Sequence, residues 1–219
     1  MLESFEARKK RAQKISLALK KLFPKAKIVL IYGDPWQLMV AVQLSAQCTD
    51  KKVNQVTLAL FKKYKKLDDY VKADKAEFEQ YIKPTGFYRA KTKNILAAAK
   101  MVKEKFRGRL PKTMKEMLTL SGVARKTANV VLGNAYGVVE GIAVDTHVAR
   151  LAKKFNLTDH KDPVKIEKDL MALFPKKEWF PVTYRLINYG RHVCVRRKHS
   201  NCKDHPLTKI YPPAASNWP

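Results

Sequence analysis

Residues 120–128, with the sequence LSGVARKTA, constrain the fold most, because they place a hairpin of small residues directly before a helix. Gly122 and its neighbours leave backbone N–H groups free to face an anion, and the helix N-terminus adds its partial positive charge. Lys126 falls in the first turn of this helix, so an amine lies beside the anion site. The pattern predicts a backbone grip for a phosphate group.

Asp145, in the segment VDTH, begins the next helix and supplies a carboxylate. A helix over residues 125–136 would be about 18 Å long. Residues 137–144 can span at most about 26–29 Å when extended, so the chain can bring Asp145 back to Lys126. A phosphate grip with an amine and a carboxylate indicates chemistry on a nucleic acid.

Most of the chain has apolar residues at helical spacing, without strand alternation or an internal repeat. We therefore predict an all-α fold. The predicted helices are 6–22, 36–47, 51–63, 67–71, 75–82, 90–106, a short one after Pro111, 125–136, one centred on Arg150, 164–174 and 178–192.

The charge of the chain is strongly unbalanced, with 45 Lys and Arg against 19 acidic residues and a net charge of +26. A highly soluble surface is one explanation. A nucleic acid partner is favoured, because a polyanion relieves the self-repulsion of such a charge. Apolar residues make up 46% of the chain, which indicates a globular protein rather than a disordered one.

Sequence features that mark export or membrane insertion are not found. The first ten residues are charged and unlike a signal peptide, and no apolar run is long enough to cross a bilayer. Three widely spaced cysteines, Cys48, Cys194 and Cys202, give no disulfide framework. We expect a soluble intracellular protein of the cytoplasm or nucleoid, with no membrane partner.

The hairpin and VDTH segments together resemble the endonuclease III branch of the helix-hairpin-helix DNA glycosylases. The resemblance extends to residues 43–50 (QLSAQCTD), 85–91 (TGFYRAK) and 189–194 (YGRHVC), in the family's order. It implies two helical lobes with a DNA-binding cleft between them. The six-helix lobe would be residues 27–139 with the helix-hairpin-helix, and the second would combine residues 1–26 with 140–219, including the C-terminal loop.

The family's catalytic pair corresponds to Lys126 and Asp145. A base-excising enzyme extrudes its target from the duplex and then attacks the sugar C1′. An amine nucleophile leaves a Schiff base, which permits β-elimination of the 3′ phosphate. The resemblance therefore implies a bifunctional DNA glycosylase and AP lyase of base excision repair, acting as a monomer on double-stranded DNA with oxidised pyrimidines or abasic sites.

The resemblance also assigns residues that contact DNA. Gln47 would fill the space left by the extruded nucleotide, and Phe87 would enter the opposite strand as an apolar wedge. The alternative for Gln47 is a polar residue at a helix end, and the alternative for Phe87 is an aromatic residue of the core. We interpret His147 as a structural histidine. The remaining assigned residues lie in the hairpin and in the C-terminal loop: Gly122, Val123, Ala124, Arg125, Thr127, Arg191, Arg196, Arg197 and Lys198.

The hairpin departs from the family pattern at Ala124, where a second glycine is usual. If this position required a positive φ, alanine would cost about 1 kcal/mol.

The C-terminal cysteines depart further from the family pattern. The family holds a [4Fe–4S] cluster with four cysteines, whereas this chain offers Cys194 and Cys202, with His205 and Tyr211 in the third and fourth places. We expect no cluster and no metal, because the cluster needs four thiolates. Zinc on Cys194, Cys202 and His205 is the alternative, with His199 or His192 as a fourth ligand. Without a cluster, burial of the tail would hold the loop in place; this tail includes Tyr211, Pro212, Pro213 and Trp218.

Two other functions remain open. The chain could be a mismatch-thymine or pyrimidine-dimer glycosylase, since Lys126 disfavours only the adenine-specific branch. It could also be a non-catalytic DNA-binding module that uses the hairpin as a phosphate clamp.

Overall fold

The computed structural model describes residues 3–195 and 202–217. The described residues form twelve α-helices and three short 3₁₀ helices, and contain no strand, which confirms the all-α prediction. The helices are α1 Phe5–Leu22, α2 Pro35–Leu44, α3 Asp50–Lys63, α4 Leu67–Val71, α5 Lys75–Ile82, α6 Tyr88–Lys105, α7 Met114–Met117, α8 Arg125–Tyr136, α9 Thr146–Lys154, α10 Pro163–Leu173, α11 Lys176–His192 and α12 Pro206–Ile210.

The chain divides into two compact units. One, the central unit, is Val29–Val138 and contains α2 to α8. The other, the terminal unit, combines Met1–Ile28 with Val139–Pro219 and contains α1 and α9 to α12.

Helix α2 lies at the middle of the central unit and contacts α3, α6 and α8. It begins at Pro35 because the side chain of Asp34 accepts a hydrogen bond from the Gln37 amide and proline suits the first helical position. All of its residues but two are buried, which explains why its sequence is apolar on every face. Nearby, Tyr70 packs edge-on against Trp36 and Phe78.

Helix α8 follows the hairpin and ends at Gly137. This glycine has φ +66, and the Val138 amide donates to the carbonyl of Leu132, as expected where a left-handed residue ends a helix. The predicted range 125–136 matches the observed helix.

In the terminal unit, α1 packs against α10, α11 and α12, while α9 packs against α10 and α11. Ser4 caps α1, and the buried stripe of α1, which includes Ile15 and Leu19, enters the core. The rings of Phe155 and Tyr189 meet edge-on in this core.

The tail 202–217 packs onto the terminal unit through buried side chains. Leu207 and Ala214 belong to its core, and the Tyr189 hydroxyl accepts a hydrogen bond from the Leu207 amide. At the end of α9, the side-chain amide of Asn217 donates to the carbonyls of Lys153 and Lys154. The sequence did not predict the short helix α12.

Among the described residues, none of the helices combines the length and apolar character that crossing a membrane requires.

We expect Leu207→Ala to lower the free energy of unfolding by about 2–5 kcal/mol, because it leaves a cavity in a fully buried site. Urea titration followed by circular dichroism measures this loss. The control is Lys209→Ala on the same helix, which is exposed and should change stability by less than about 0.5 kcal/mol. Equal losses for the two variants would show that the tail is not part of the core.

Candidate active site and nucleic-acid interface

The hairpin between α7 and α8 is a tight turn anchored by two buried side chains. The Val123 amide donates to the Leu120 carbonyl, and both residues are buried. Between them, Gly122 has φ +72, which disfavours any side chain. A Cβ there would also lie 2.8 Å from the Cβ of Asn94, so glycine is required both by conformation and by space.

Two polar side chains brace this turn inside the central unit. Gln43 of α2 donates from Nε2 to the Ser121 carbonyl at 3.2 Å. The Ser121 hydroxyl donates to Asn94 Oδ1 of α6 at 3.1 Å. The hairpin is therefore braced by side chains from two helices, α2 and α6.

Ala124 is the N-cap of α8, with φ −97 and ψ 172. This extended conformation suits alanine, so the strain considered for a positive φ does not arise. Alanine provides no side-chain cap, and a helix N-terminus without one keeps backbone amides available to an anion. Lys126 is half-buried in the first turn, between Arg125, also half-buried, and the buried Thr127.

Asp145 is the N-cap of α9 in the terminal unit. Its Oδ1 accepts a hydrogen bond from the Val148 amide at 2.8 Å, and the side chain remains half-exposed. One carboxylate oxygen is therefore used to cap α9. Asp145 is fixed by its own helix.

The segments around VDTH and YGRH pack against each other. A Cβ on Gly190 would lie 2.7 Å from His147 Nδ1, so α9 and α11 approach closely at this glycine. Arg191, the next residue, is half-buried near the end of α11. The remaining cations assigned to this loop, Arg196, Arg197 and Lys198, lie outside the described residues, as do His199 and Trp218.

Gln47 and Phe87 stand in two turns of the central unit, both exposed and both in the left-handed region, with φ 52 and 48. Phe87 is 66% exposed, so the core-aromatic alternative is wrong.

The sequence does not single out Lys91, which lies between these two turns. Its side chain is buried, and Nζ donates to the carbonyls of Leu44 and Thr85 at 2.8 Å each. Burial lowers the pKa of Lys91 below its ordinary value. A lysine on the buried face of a helix was the available signal in the sequence.

Cys194, Cys202 and His205 form a group whose ligand atoms lie within 4.8 Å of one another, and which could hold a metal ion. Cys202 Sγ is 3.7 Å from His205 Nδ1. Burial raises the pKa of the Cys202 thiol and lowers that of His205.

Two cations accompany this group. Arg150 donates to the Cys194 carbonyl at 2.6 Å and approaches its Sγ at 3.4 Å. Lys154 is fully buried and donates to the Asn217 carbonyl. The positive charge of Lys154 contributes to the lowered pKa of His205.

Comparison with known proteins agrees with this geometry. Residues 40–176 match the model of the HhH-GPD superfamily base excision DNA repair proteins. The chain is 46% identical to an endonuclease III of Synechocystis sp., over 99% of each chain. Two solved structures of 38% identity and TM-score 0.90 cover 99% of this chain and 98% or 99% of theirs. They are described as a non-covalent endonuclease III–DNA complex and as a trapped endonuclease III–DNA covalent intermediate.

The fold and the hairpin thus define a base excision repair enzyme of the helix-hairpin-helix class. Within this class, the chain belongs to the endonuclease III family of DNA glycosylases and AP lyases. The alternative of a non-catalytic DNA-binding module is therefore wrong.

We expect Gly122→Ala to destabilise the protein by more than Gly137→Ala. Both positions have positive φ, which costs alanine about 1–2 kcal/mol. At Gly137 a Cβ meets nothing within 4 Å, whereas at Gly122 it collides with Asn94. Urea titration of the two variants isolates this collision. Equal losses would mean that Asn94 moves away without cost.

Proposed function

We propose that this protein removes damaged pyrimidines, principally oxidised ones, from double-stranded DNA and then nicks the strand, with Lys126 as the nucleophile and Asp145 as its partner. The observation that carries the proposal is the position of Lys126. It lies in the first turn of α8, directly after a braced hairpin whose N-cap residue leaves the helix end open to a phosphate.

The chemistry follows from the amine. With Asp145 accepting a proton from it, the Lys126 nitrogen attacks C1′ of the extruded nucleotide, and the C1′–N bond to the base breaks. The C1′–O4′ bond then breaks, O4′ takes up the proton held by Asp145, and a protonated imine remains between Lys126 and C1′. The imine acidifies the C2′ proton. Loss of this proton expels the 3′ phosphate by breaking the C3′–O bond. The carboxylate also stabilises the positive charge that develops on the sugar.

The DNA-contacting residues are proposed on the same basis. Gly122, Val123, Ala124, Arg125 and Thr127 would hold a phosphate at the hairpin. Gln47 and Phe87, both exposed in turns, would enter the base stack. Arg191 and the outlying Arg196, Arg197 and Lys198 would contact the backbone. The net charge of +26 favours this partner and predicts binding that weakens steeply as salt is raised. Such a substrate also implies an intracellular protein.

A second proposal concerns the cofactor. A [4Fe–4S] cluster requires four cysteine ligands. This chain has three cysteines, and Cys48, in the central unit, is not a member of the group that Cys194 and Cys202 form with His205. The donors do not fit the cluster. We infer that the protein works without it and that the tail is held instead by buried Leu207 and Ala214. Zinc on the two thiolates and the imidazole is the alternative that the geometry allows.

Lys126→Ala should abolish the covalent adduct that borohydride traps between the enzyme and an abasic duplex, because the trapped bond joins the Lys126 nitrogen to C1′. Lys62→Ala, an exposed lysine of α3, serves as the control and should trap as the wild type does. Gel mobility of the denatured protein–DNA adduct measures this. Undiminished trapping by Lys126→Ala would assign the nucleophile elsewhere.

Asp145→Asn and Asp145→Ala should separate the two roles of this residue. Asparagine caps helices as well as aspartate does, whereas alanine at the N-cap costs about 1 kcal/mol. Both variants lose the carboxylate, so base removal should slow by about 100-fold or more in each. Single-turnover release of thymine glycol and dihydrouracil, with T·G mismatches and pyrimidine dimers as comparison substrates, measures activity and preference. Full activity in Asp145→Asn would leave only the capping role.

Metal analysis of the purified protein tests the cofactor proposal. We expect less than a tenth of an equivalent of iron and of zinc, and full nicking activity after treatment with a chelator. Stoichiometric zinc that is lost in Cys202→Ser would establish the zinc alternative. About four iron atoms per chain, with visible absorbance, would overturn the inference that the cluster is absent.

A further inference from the structure

The two turns that carry Gln47 and Phe87 are conformationally unusual. Among the described residues, four that are not glycine have positive φ. Two of these, Arg107 and Asn156, directly follow the C-caps of helices, where left-handed residues are common. Phe87 instead lies at the N-cap of α6, without a side-chain cap. Such conformations persist only where the surrounding structure holds them, which raises the question of what holds these turns.

Lys91 contacts both segments at once. One hydrogen bond goes to the carbonyl of Leu44, the last residue of α2, three residues before Gln47. The other goes to the carbonyl of Thr85, at the end of the 3₁₀ helix Lys83–Thr85, two residues before Phe87. A single ammonium nitrogen at 2.8 Å from both oxygens therefore fixes the distance between two segments that are far apart in sequence.

The local electrostatics suit this bridge. Carbonyl groups at helix C-termini carry partial negative charge and lack intrahelical partners, so a cation there is favourable. The backbone amide of Lys91 also donates to the Phe87 carbonyl, so one residue is bonded to the Phe87 turn through both main chain and side chain.

Burial of a cation is unfavourable compared with an apolar side chain of similar size, and it is often explained by the specificity of the arrangement that it fixes. Lys91 is only 6% exposed and takes no part in the proposed chemistry at Lys126. The unfavourable burial of the Lys91 ammonium is explained if the relative position of the two turns matters to function.

We propose that Lys91 is a positioning residue that joins the Gln47 turn and the Phe87 turn into one rigid wedge before DNA is bound. This rests on the proposed function, in which both residues enter the base stack. A preformed wedge avoids ordering two separate loops during extrusion of the damaged nucleotide. The chemical steps at C1′ come later and do not involve Lys91.

The direct test uses Lys91→Met, which keeps the length of the side chain and removes the donors. Lys93→Met, an exposed lysine on the same helix, is the matched control. The probe is a duplex in which 2-aminopurine lies opposite a non-cleavable abasic analogue, because its fluorescence rises on unstacking. We expect a rise with wild type and Lys93→Met, and a rise at least about threefold smaller with Lys91→Met. An equal rise with Lys91→Met would overturn the proposal.

Kinetics separate wedge insertion from chemistry. Single-turnover removal of thymine glycol from a duplex should slow by about 10- to 100-fold in Lys91→Met, as expected for misplaced positioning groups. Borohydride trapping on a single-stranded abasic oligonucleotide, which needs no wedge, should remain as in wild type. An equal loss in both assays would indicate general damage and contradict a positioning role.

Hydrogen exchange without DNA tests the bridge independently of any activity. Lys91→Met should speed amide exchange in residues 45–48 and 85–88 together, while α8 stays as protected as in wild type. Faster exchange throughout the central unit, or in neither turn, would contradict the proposal.

If Lys91→Met does not fold, a double-variant cycle with Gln47→Ala and Phe87→Ala tests, with Lys91 in place, whether the two turns act together. A rigid wedge predicts that the combined loss of fluorescence rise is smaller than the product of the single losses, and independent losses would overturn it. Failure of the proposed function is distinguishable, because a Lys126→Ala variant that still nicks DNA would leave the exchange result and the cycle unaffected.

Discussion

The packing of Gly122 against Asn94 is the contact on which the hairpin depends. The left-handed turn brings the backbone so close to α6 that no Cβ fits. The same asparagine accepts from Ser121, whose carbonyl is held by Gln43 of α2. The hairpin is therefore anchored to the packed interior of the central unit, while Gly122 and Ala124 themselves stay exposed. Lys126, in the first turn of α8, directly follows this braced turn.

Several of the polar contacts described above lie at the ends of helices. The open N-terminus of α8 faces the proposed phosphate, and the N-terminus of α9 fixes Asp145. The C-terminus of α2 is bonded by Lys91, and that of α9 by Asn217. A helix leaves backbone groups unpaired at its ends, and each of these contacts involves such groups. The proposed functional contacts and the stabilising ones therefore use the same kind of backbone group.

The tail of the terminal unit packs beside a group of possible metal ligands. Cys194, Cys202 and His205 form this group, near Arg150 and the buried Lys154. Leu207 and Ala214 fill the core, and Arg11 stacks on the ring of Tyr211 at 4.3 Å from its centroid. Ordinary burial and helix capping together account for the packing of the described tail.

Much of this protein was readable from its sequence. Helical periodicity located the long helices, because burial of one face leaves a regular apolar pattern. The hairpin and the VDTH segment supplied Lys126 and Asp145, the proposed catalytic pair. The short α12, which packs Leu207 into the core, was missed, and the conformation of Ala124 could not be read from its identity. Lys91 shows the limit most clearly. The sequence shows Lys91 as one lysine on a helix and gives only its neighbours along the chain. That its amine binds the carbonyls of Leu44 and Thr85 was decided by tertiary packing alone, which brings distant backbone groups to one buried nitrogen.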